Sequence, residues 1–190
     1  MTDYSAYEGT WTIDPAHSRL GFVARHAMVT KVRGQFEDFS GRLVIDAANP
    51  SGSTADVTVQ MASITTGSAD RDAHLRSPDF FDVAANPAMT FTSTTVKQDD
   101  DEFVMLGDLT IKGVTRPIEL ALEPTGVATD PFGHVRAGFE GTSELSRKDF
   151  GLTWNVALEA GGVLVSDRIT IQLDVSAIKA SDGSDEAATA

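Results

Sequence analysis

The sequence predicts an all-β domain, an up-and-down antiparallel barrel or a sandwich of eight or nine strands, with one short helical insert. Three observations lead there. Apolar and polar residues alternate with a period of two along most of the chain, giving each segment one apolar and one solvated face. Compact turn signals separate these segments, and no second layer of helical periodicity accompanies them. A single charged stretch, from Asp70 to Ser77, places Arg71, Asp72, His74 and Arg76 on a short helical segment just before Phe80 and Phe81.

Strands are expected near residues 10–14, 18–26, 34–46, 54–64, 88–97, 102–112, 116–126, 134–146 and 164–178. In the second, Leu20, Phe22 and Ala24 share a parity that His26 continues. Phe39, Gly41, Leu43 and Ile45 line up in the third, and Val57, Val59 and Met61 alternate with Thr58 and Gln60 in the fourth. The helical insert follows, with Asp70 and Asp72 near its N-terminus and Arg76 near its end, which suits the helix dipole. Asp72 and Arg76 are spaced for a surface ion pair. Met89, Phe91 and Ser93 then alternate with threonines. In the next strand the apolar parity changes between Leu106 and Leu109, so a β-bulge is expected across Gly107. Ile118, Leu120 and Leu122 face away from Glu119 and Glu123; Phe139, Gly141, Ser143 and Leu145 face away from Glu140, Thr142 and Glu144. The last strand, with Ile169, Ile171, Leu173 and Val175 interleaved with Arg168, Thr170, Gln172 and Asp174, is the clearest. Turns fall at Asn49-Pro50-Ser51-Gly52, Gln98 to Glu102, Lys112-Gly113 and Asp130-Pro131-Phe132-Gly133. Residues 1–9 read as an N-terminal extension, 10–179 as one domain, and 180–190 as a disordered acidic tail.

Composition narrows the function. The net charge of −13 is the wrong sign for nucleic acid and for resting on an anionic membrane through basic residues. Cysteine is absent, which removes disulfides, thiolate nucleophiles and Cys-based metal sites. No apolar run approaches the ~18–20 residues needed to cross a bilayer, so the chain is not expected to be an integral membrane protein. The opening MTDYSAYEG shows neither a basic nor an apolar signal region, so a cytoplasmic location is expected, or a periplasmic or secreted one where a signal has been removed. There is no G-x-S-x-G elbow, H-E-x-x-H or glycine-rich phosphate loop, and the four histidines show no i,i+4 spacing. No catalytic residue, metal site or cofactor is predicted.

By parity, the interior would be walled by Leu20, Phe22 and Ala24, then Phe39, Leu43, Val59 and Met61. Met89, Phe91, Ile111 and Leu120 continue it, with Phe139, Gly141, Ile169 and Ile171. Small residues among large ones, Gly41 and Gly141 for example, leave room for a channel, although large side chains from opposite strands filling a solid core fit the same pattern. At the mouth, His26, Arg71, His74, Arg76, Phe80, Phe81, Arg147, Lys148 and Trp154 are candidates for binding a ligand's head group. Each also has a bland reading, as a core histidine, a helix-surface ion, rim packing or a turn capped by Asp149.

Four blocks then point to a known family. They are HLRSPDFFDV with Pro87 and Phe91; LGDLTIKGVTRPIEL from Leu106 to Leu120; SRKDFGLTWN from Ser146 to Asn155, followed by Gly161-Gly162 and Val165-Ser166-Asp167; and the opening Trp11-x-Ile13-Asp14-x-x-His17-Ser18. Over about residues 10–180 the chain resembles the YceI-like family of lipocalin-type, polyisoprenoid-binding proteins. That resemblance implies an extended eight-stranded antiparallel, lipocalin-like barrel capped by a helix. It further implies non-enzymatic binding, carriage or storage of a long-chain isoprenoid lipid (a polyprenyl phosphate or a quinone) and a homodimer; many members are exported to the periplasm, a point on which this chain departs because no signal region is visible. Two other readings stay open at this stage: an enzyme or redox-linked protein acting on a bound isoprenoid or quinone, and a packed-barrel interaction module.

Overall fold

The computed structural model describes residues 3–99, 101–159 and 161–181. Most of the predicted tail lies outside the described residues. The strands are β1 (Gly9–Ile13), β2 (Arg19–His26), β3 (Thr30–Phe36), β4 (Phe39–Ile45), β5 (Thr54–Gln60), β6 (Ile64–Thr65), β7 (Ala88–Asp99), β8 (Glu102–Ile111), β9 (Val114–Thr129), β10 (Val135–Ser146) and β11 (Arg168–Lys179). One α-helix, α1, spans Ala69–Arg76.

All neighbouring strands pair antiparallel, and β11 closes the barrel. It pairs with β10 on one side and with both β1 and β2 on the other, Ala177–Lys179 facing Ile13–Trp11 and Thr170–Asp174 facing Val23–Arg19. Strands β1 and β2 are thus two halves of one barrel strand, separated by a short turn whose Asp14 side chain accepts the Ala16 N–H. Strands β3 and β4 divide the next barrel strand in the same way, β2 pairing with β3 and β1 with β4. With β5, β7, β8, β9, β10 and β11 this makes a closed eight-stranded barrel.

Two strands and the bulge depart most from the expected pattern. The strand predicted at 34–46 begins at Thr30 and breaks at Glu37-Asp38, where β4 leaves β3's partner for β1. The strand predicted at 54–64 ends at Gln60; a 3-10 turn at Met61–Ser63 redirects the chain into the two residues of β6, which pair with the end of β3. The bulge lies opposite Gly107, not at it. Gly107 pairs regularly with Ile118, whereas Thr94 is an extra residue between Ser93↔Gly107 and Thr95↔Leu106. Phe103, Met105, Gly107, Leu109 and Ile111 therefore keep one inward parity, and Leu106 sits on the outer face. A second bulge places Thr125 between Gly138↔Gly126 and Phe139↔Pro124. Extra residues of this kind bend a strand around a barrel.

The hairpin turn at Lys112-Gly113 has φ of 52° and 73°, the left-handed pair a tight two-residue hairpin requires, and glycine adopts the second without a Cβ penalty. Residues 3–9, expected as an extension, pack onto the barrel. Tyr7 is buried against Trp11, Ala137 and Ala177, and Trp11 Nε1 donates to the Tyr7 carbonyl at 2.7 Å.

Candidate functional site

An apolar tunnel of about 330 Å³ runs inside the barrel, walled by inward residues of nearly every strand. Of the predicted wall residues, Leu20, Phe22, Ala24, Leu43, Val59, Met89, Phe91, Ile111, Leu120, Phe139, Ile169 and Ile171 line it. Three do not. Phe39 and Met61 are buried in a core cluster with Ile13, Phe36 and Ile64. Gly141 is roofed by side chains; a Cβ there would lie 3.0 Å from Leu122 Cδ2 and 3.2 Å from Leu173 Cδ1.

Gly41 and Gly141 therefore do not open the channel, whereas Ala24 lies on its surface. Neighbouring side chains lie over the glycines: the Phe91 ring covers Gly107, the Phe22 ring covers Gly34 and Ile13 covers Gly41, each within 2.6 Å of where a Cβ would stand. The tunnel is the space left over after that packing. Sequence parity also misses Phe103 and Met105, wall residues hidden by the supposed change of register, as well as Leu109, and Tyr4 and Tyr7 from the presumed extension.

The two ends differ. At one, Tyr4 and Tyr7 stand beside Asp46, Ser53 and Gln98. The Tyr4 ring meets Phe103 edge-on at 4.9 Å, and the Tyr7 hydroxyl accepts the Gly126 N–H at 2.7 Å. At the other, Leu75 of α1, Phe80, Phe81, Leu152 and Val165 surround the opening, and Arg147 is the basic residue on the wall. His74, Phe80 and Trp154 form an aromatic cluster there, with ring centroids 4.7 to 5.2 Å apart.

Arg147 is 3% exposed yet has no carboxylate partner within bonding distance among the described residues. Its Nε donates to the Ser166 carbonyl at 3.0 Å, and Nη1 to the carbonyls of Leu152 at 2.6 Å and Trp154 at 2.9 Å. Burial lowers its pKa from the usual arginine value, partly offset by the charge of Asp167. The guanidinium thus ties the 151–167 loop to the barrel and brings a positive charge to the tunnel wall.

The other predicted mouth residues take separate roles. Arg71 donates to Thr66 Oγ1 and the Thr66 carbonyl, and Arg76 to the carbonyls of Ala62 and Ile64. The expected Asp72–Arg76 ion pair does not form; Asp72 is buried and accepts from the N–H and hydroxyl of Thr66, anchoring the start of α1. His74 pairs with Asp79 at 2.9 Å. His26 is exposed at the end of β2, bridged to Val165, and Lys148 is exposed on the turn outside the tunnel wall. That turn is capped by Asp167, not Asp149: Asp167 accepts from Ser146 Oγ and the Lys148 N–H.

Comparison with known proteins places this geometry. A family model described as YceI-like domain matches residues 11–177. The protein YceI of Escherichia coli O157:H7 is 41% identical over 150 residues, 78% of each chain. Among solved structures, Burkholderia cenocepacia BcnA superposes with a TM-score of 0.74 at 22% identity, covering 86% of this chain and 98% of that one. A polyisoprenoid binding domain from Saccharophagus degradans, implicated in plant cell wall breakdown, superposes with a TM-score of 0.63 at 15% identity, covering 90% and 98%.

Proposed function

The chain belongs to the YceI-like domain family, and from that membership we propose that it binds and carries a long-chain isoprenoid lipid, without transforming it. The observation that carries the reading is the tunnel itself: a long space walled by aliphatic and aromatic side chains inside a closed barrel. At ~30 Å³ for a molecule's share of liquid water, its 330 Å³ equals the space of about 11 waters. A solved protein of the same fold is described as a polyisoprenoid binding domain, which supports an isoprenoid as the occupant.

Burying hydrocarbon from water yields ~0.8 kcal/mol per CH₂, roughly 4 kcal/mol per isoprene unit. The free lipid resides in a membrane, so tail transfer into the tunnel is nearly neutral and the head group decides occupancy. We assign the head group to the end bearing Arg147, whose guanidinium makes no ion pair among the described residues. A polyprenyl phosphate or the carbonyls of a quinone match it. Arg71, Arg76 and Lys148 are assigned no part, because none of the three lies on the tunnel wall.

Organic extraction of the purified protein followed by mass spectrometry tests the proposal. A prenyl compound at close to one per chain is expected. Lipid-free protein that also fails to take up added polyprenyl phosphate would leave the packed-barrel interaction module as the better reading.

A further inference from the structure

Charge is unevenly distributed in this acidic chain. From Pro15 to Phe36 there is no carboxylate, while Arg19, Arg25, Lys31 and Arg33 fall within that segment. Arg25 and Lys31 stand directly opposite each other in the β2–β3 ladder, and Arg33 lies two residues on, on the same outer face. All three are exposed, and none makes an ion pair among the described residues. Like charges placed directly opposite destabilise a strand pair, so the hairpin carries a local cost that its own fold does not offset.

The tip between them is apolar. Met28 is 53% and Val29 75% exposed, and Val156 and Val163 are also exposed. These are four of the five large hydrophobic side chains found exposed among the described residues. The hairpin and the 151–167 loop are joined: the Ala27 N–H donates to the Leu164 carbonyl at 2.7 Å, and His26 bridges Val165. Val165 and Ala24, next to the tip, line the tunnel. The turn itself holds Ala27 and Met28 at φ of 49° and 61°. Asn-Gly suits such a pair far better, so a methionine sits where turn chemistry disfavours it.

We propose that this hairpin tip is a docking surface for an anionic lipid bilayer, with Met28 and Val29 entering the interface and Arg25, Lys31 and Arg33 contacting lipid phosphates. It rests on the tunnel reading for what is exchanged there, since docking brings the Arg147 end of the tunnel to the membrane. The net charge of −13 opposes membrane approach by the chain as a whole. Charges farther than ~8–10 Å are largely screened at physiological ionic strength, so the tip presents its own sign.

The test is co-sedimentation of the full chain with vesicles of phosphatidylglycerol and phosphatidylcholine in equal parts, against vesicles of phosphatidylcholine alone. Binding to the first, falling with added salt, is expected. Arg25→Gln and Lys31→Gln should each weaken it roughly fivefold. Ala27→Asn combined with Met28→Gly supplies residues the turn prefers, so the melting temperature should hold or rise while binding falls about tenfold or more. Equal binding to both vesicle types, or variants that bind like the parent, would overturn the proposal. So would capture of an acidic protein by the same residues without vesicle binding. Lipid found in the tunnel by extraction, with no vesicle binding, would refute docking and leave the carrier function standing.

Discussion

Two tryptophan substitutions separate the tunnel from its wall. Ala24 lies on the tunnel surface near the Val165 end and is only half-buried. In Ala24→Trp the indole projects into open space and takes the volume of at least one isoprene unit. Losing the burial of five carbons at ~0.8 kcal/mol each removes about 4 kcal/mol, a drop of roughly three orders of magnitude in affinity measured from water. Gly141→Trp meets Leu122 and Leu173 at 3.0 and 3.2 Å before it reaches the tunnel. Overpacking of that kind costs ~1–3 kcal/mol, or about 2–12 °C in melting temperature for a chain of this size. The assay is displacement of a fluorescent polyprenyl probe by geraniol, farnesol, geranylgeraniol and solanesol, alongside thermal melts. Ala24→Trp should lose affinity in step with chain length at nearly unchanged stability, whereas Gly141→Trp should show a lowered melting temperature. Equal losses for short and long alcohols in Ala24→Trp, or a Gly141→Trp protein as stable as the parent, would refute this division of the interior.

Two further outcomes follow from charged groups. Arg136 bridges Asp14 and Asp130 at 2.7 Å each, holding both carboxyls below the usual carboxylate range, Asp130 furthest. Their contribution is fully present above the unfolded pKa near ~3.9 and is lost as pH falls towards the folded values; Arg136→Gln should therefore lower stability at neutral pH and flatten its fall below about pH 4, and melts that stay parallel across pH would contradict this. Arg147→Met strands the carbonyls of Leu152, Trp154 and Ser166, so it should cost at least ~1.5–3 kcal/mol, the value of one hydrogen bond to a charged group. Trp154 fluorescence should shift red, and polyprenyl phosphate should lose more affinity than the matching alcohol; equal losses for both ligands would remove Arg147 from head-group recognition.

Long strands with clean alternation were legible from sequence. Phe139 to Leu145 and Ile169 to Val175 pair face to face with the inward parity their pattern implies. The break at Glu37-Asp38 was hidden because no Gly or Pro marks it; it arises from β3 and β4 finding different partners, a tertiary event. The misplaced bulge has a similar origin. Leu106 is apolar but lies on the outer face, so a local count of parity put the irregularity on β8 when Thr94 of β7 carries it. At the mouth, Phe80 and Phe81 read as rim packing from their place after the helix, but the contact of Phe80 with Trp154 was not legible, because only the folded loop brings them together. Nor was the role of Arg147, since the Ser166 carbonyl it holds lies 19 residues away and only the folded loop brings it there. Arg71 and Arg76 looked equally suited to a ligand, and the carbonyls that take them come from the turn before α1.

The most direct measurement is a crystal structure of the protein loaded with a polyprenyl phosphate long enough to fill the barrel. Continuous density is expected to thread past Phe91, Leu120, Phe139 and Ile171, with the phosphate at the Arg147 end and the tail directed towards Tyr7. A tunnel closed by repacked side chains, or a ligand held only on the outer surface, would contradict it.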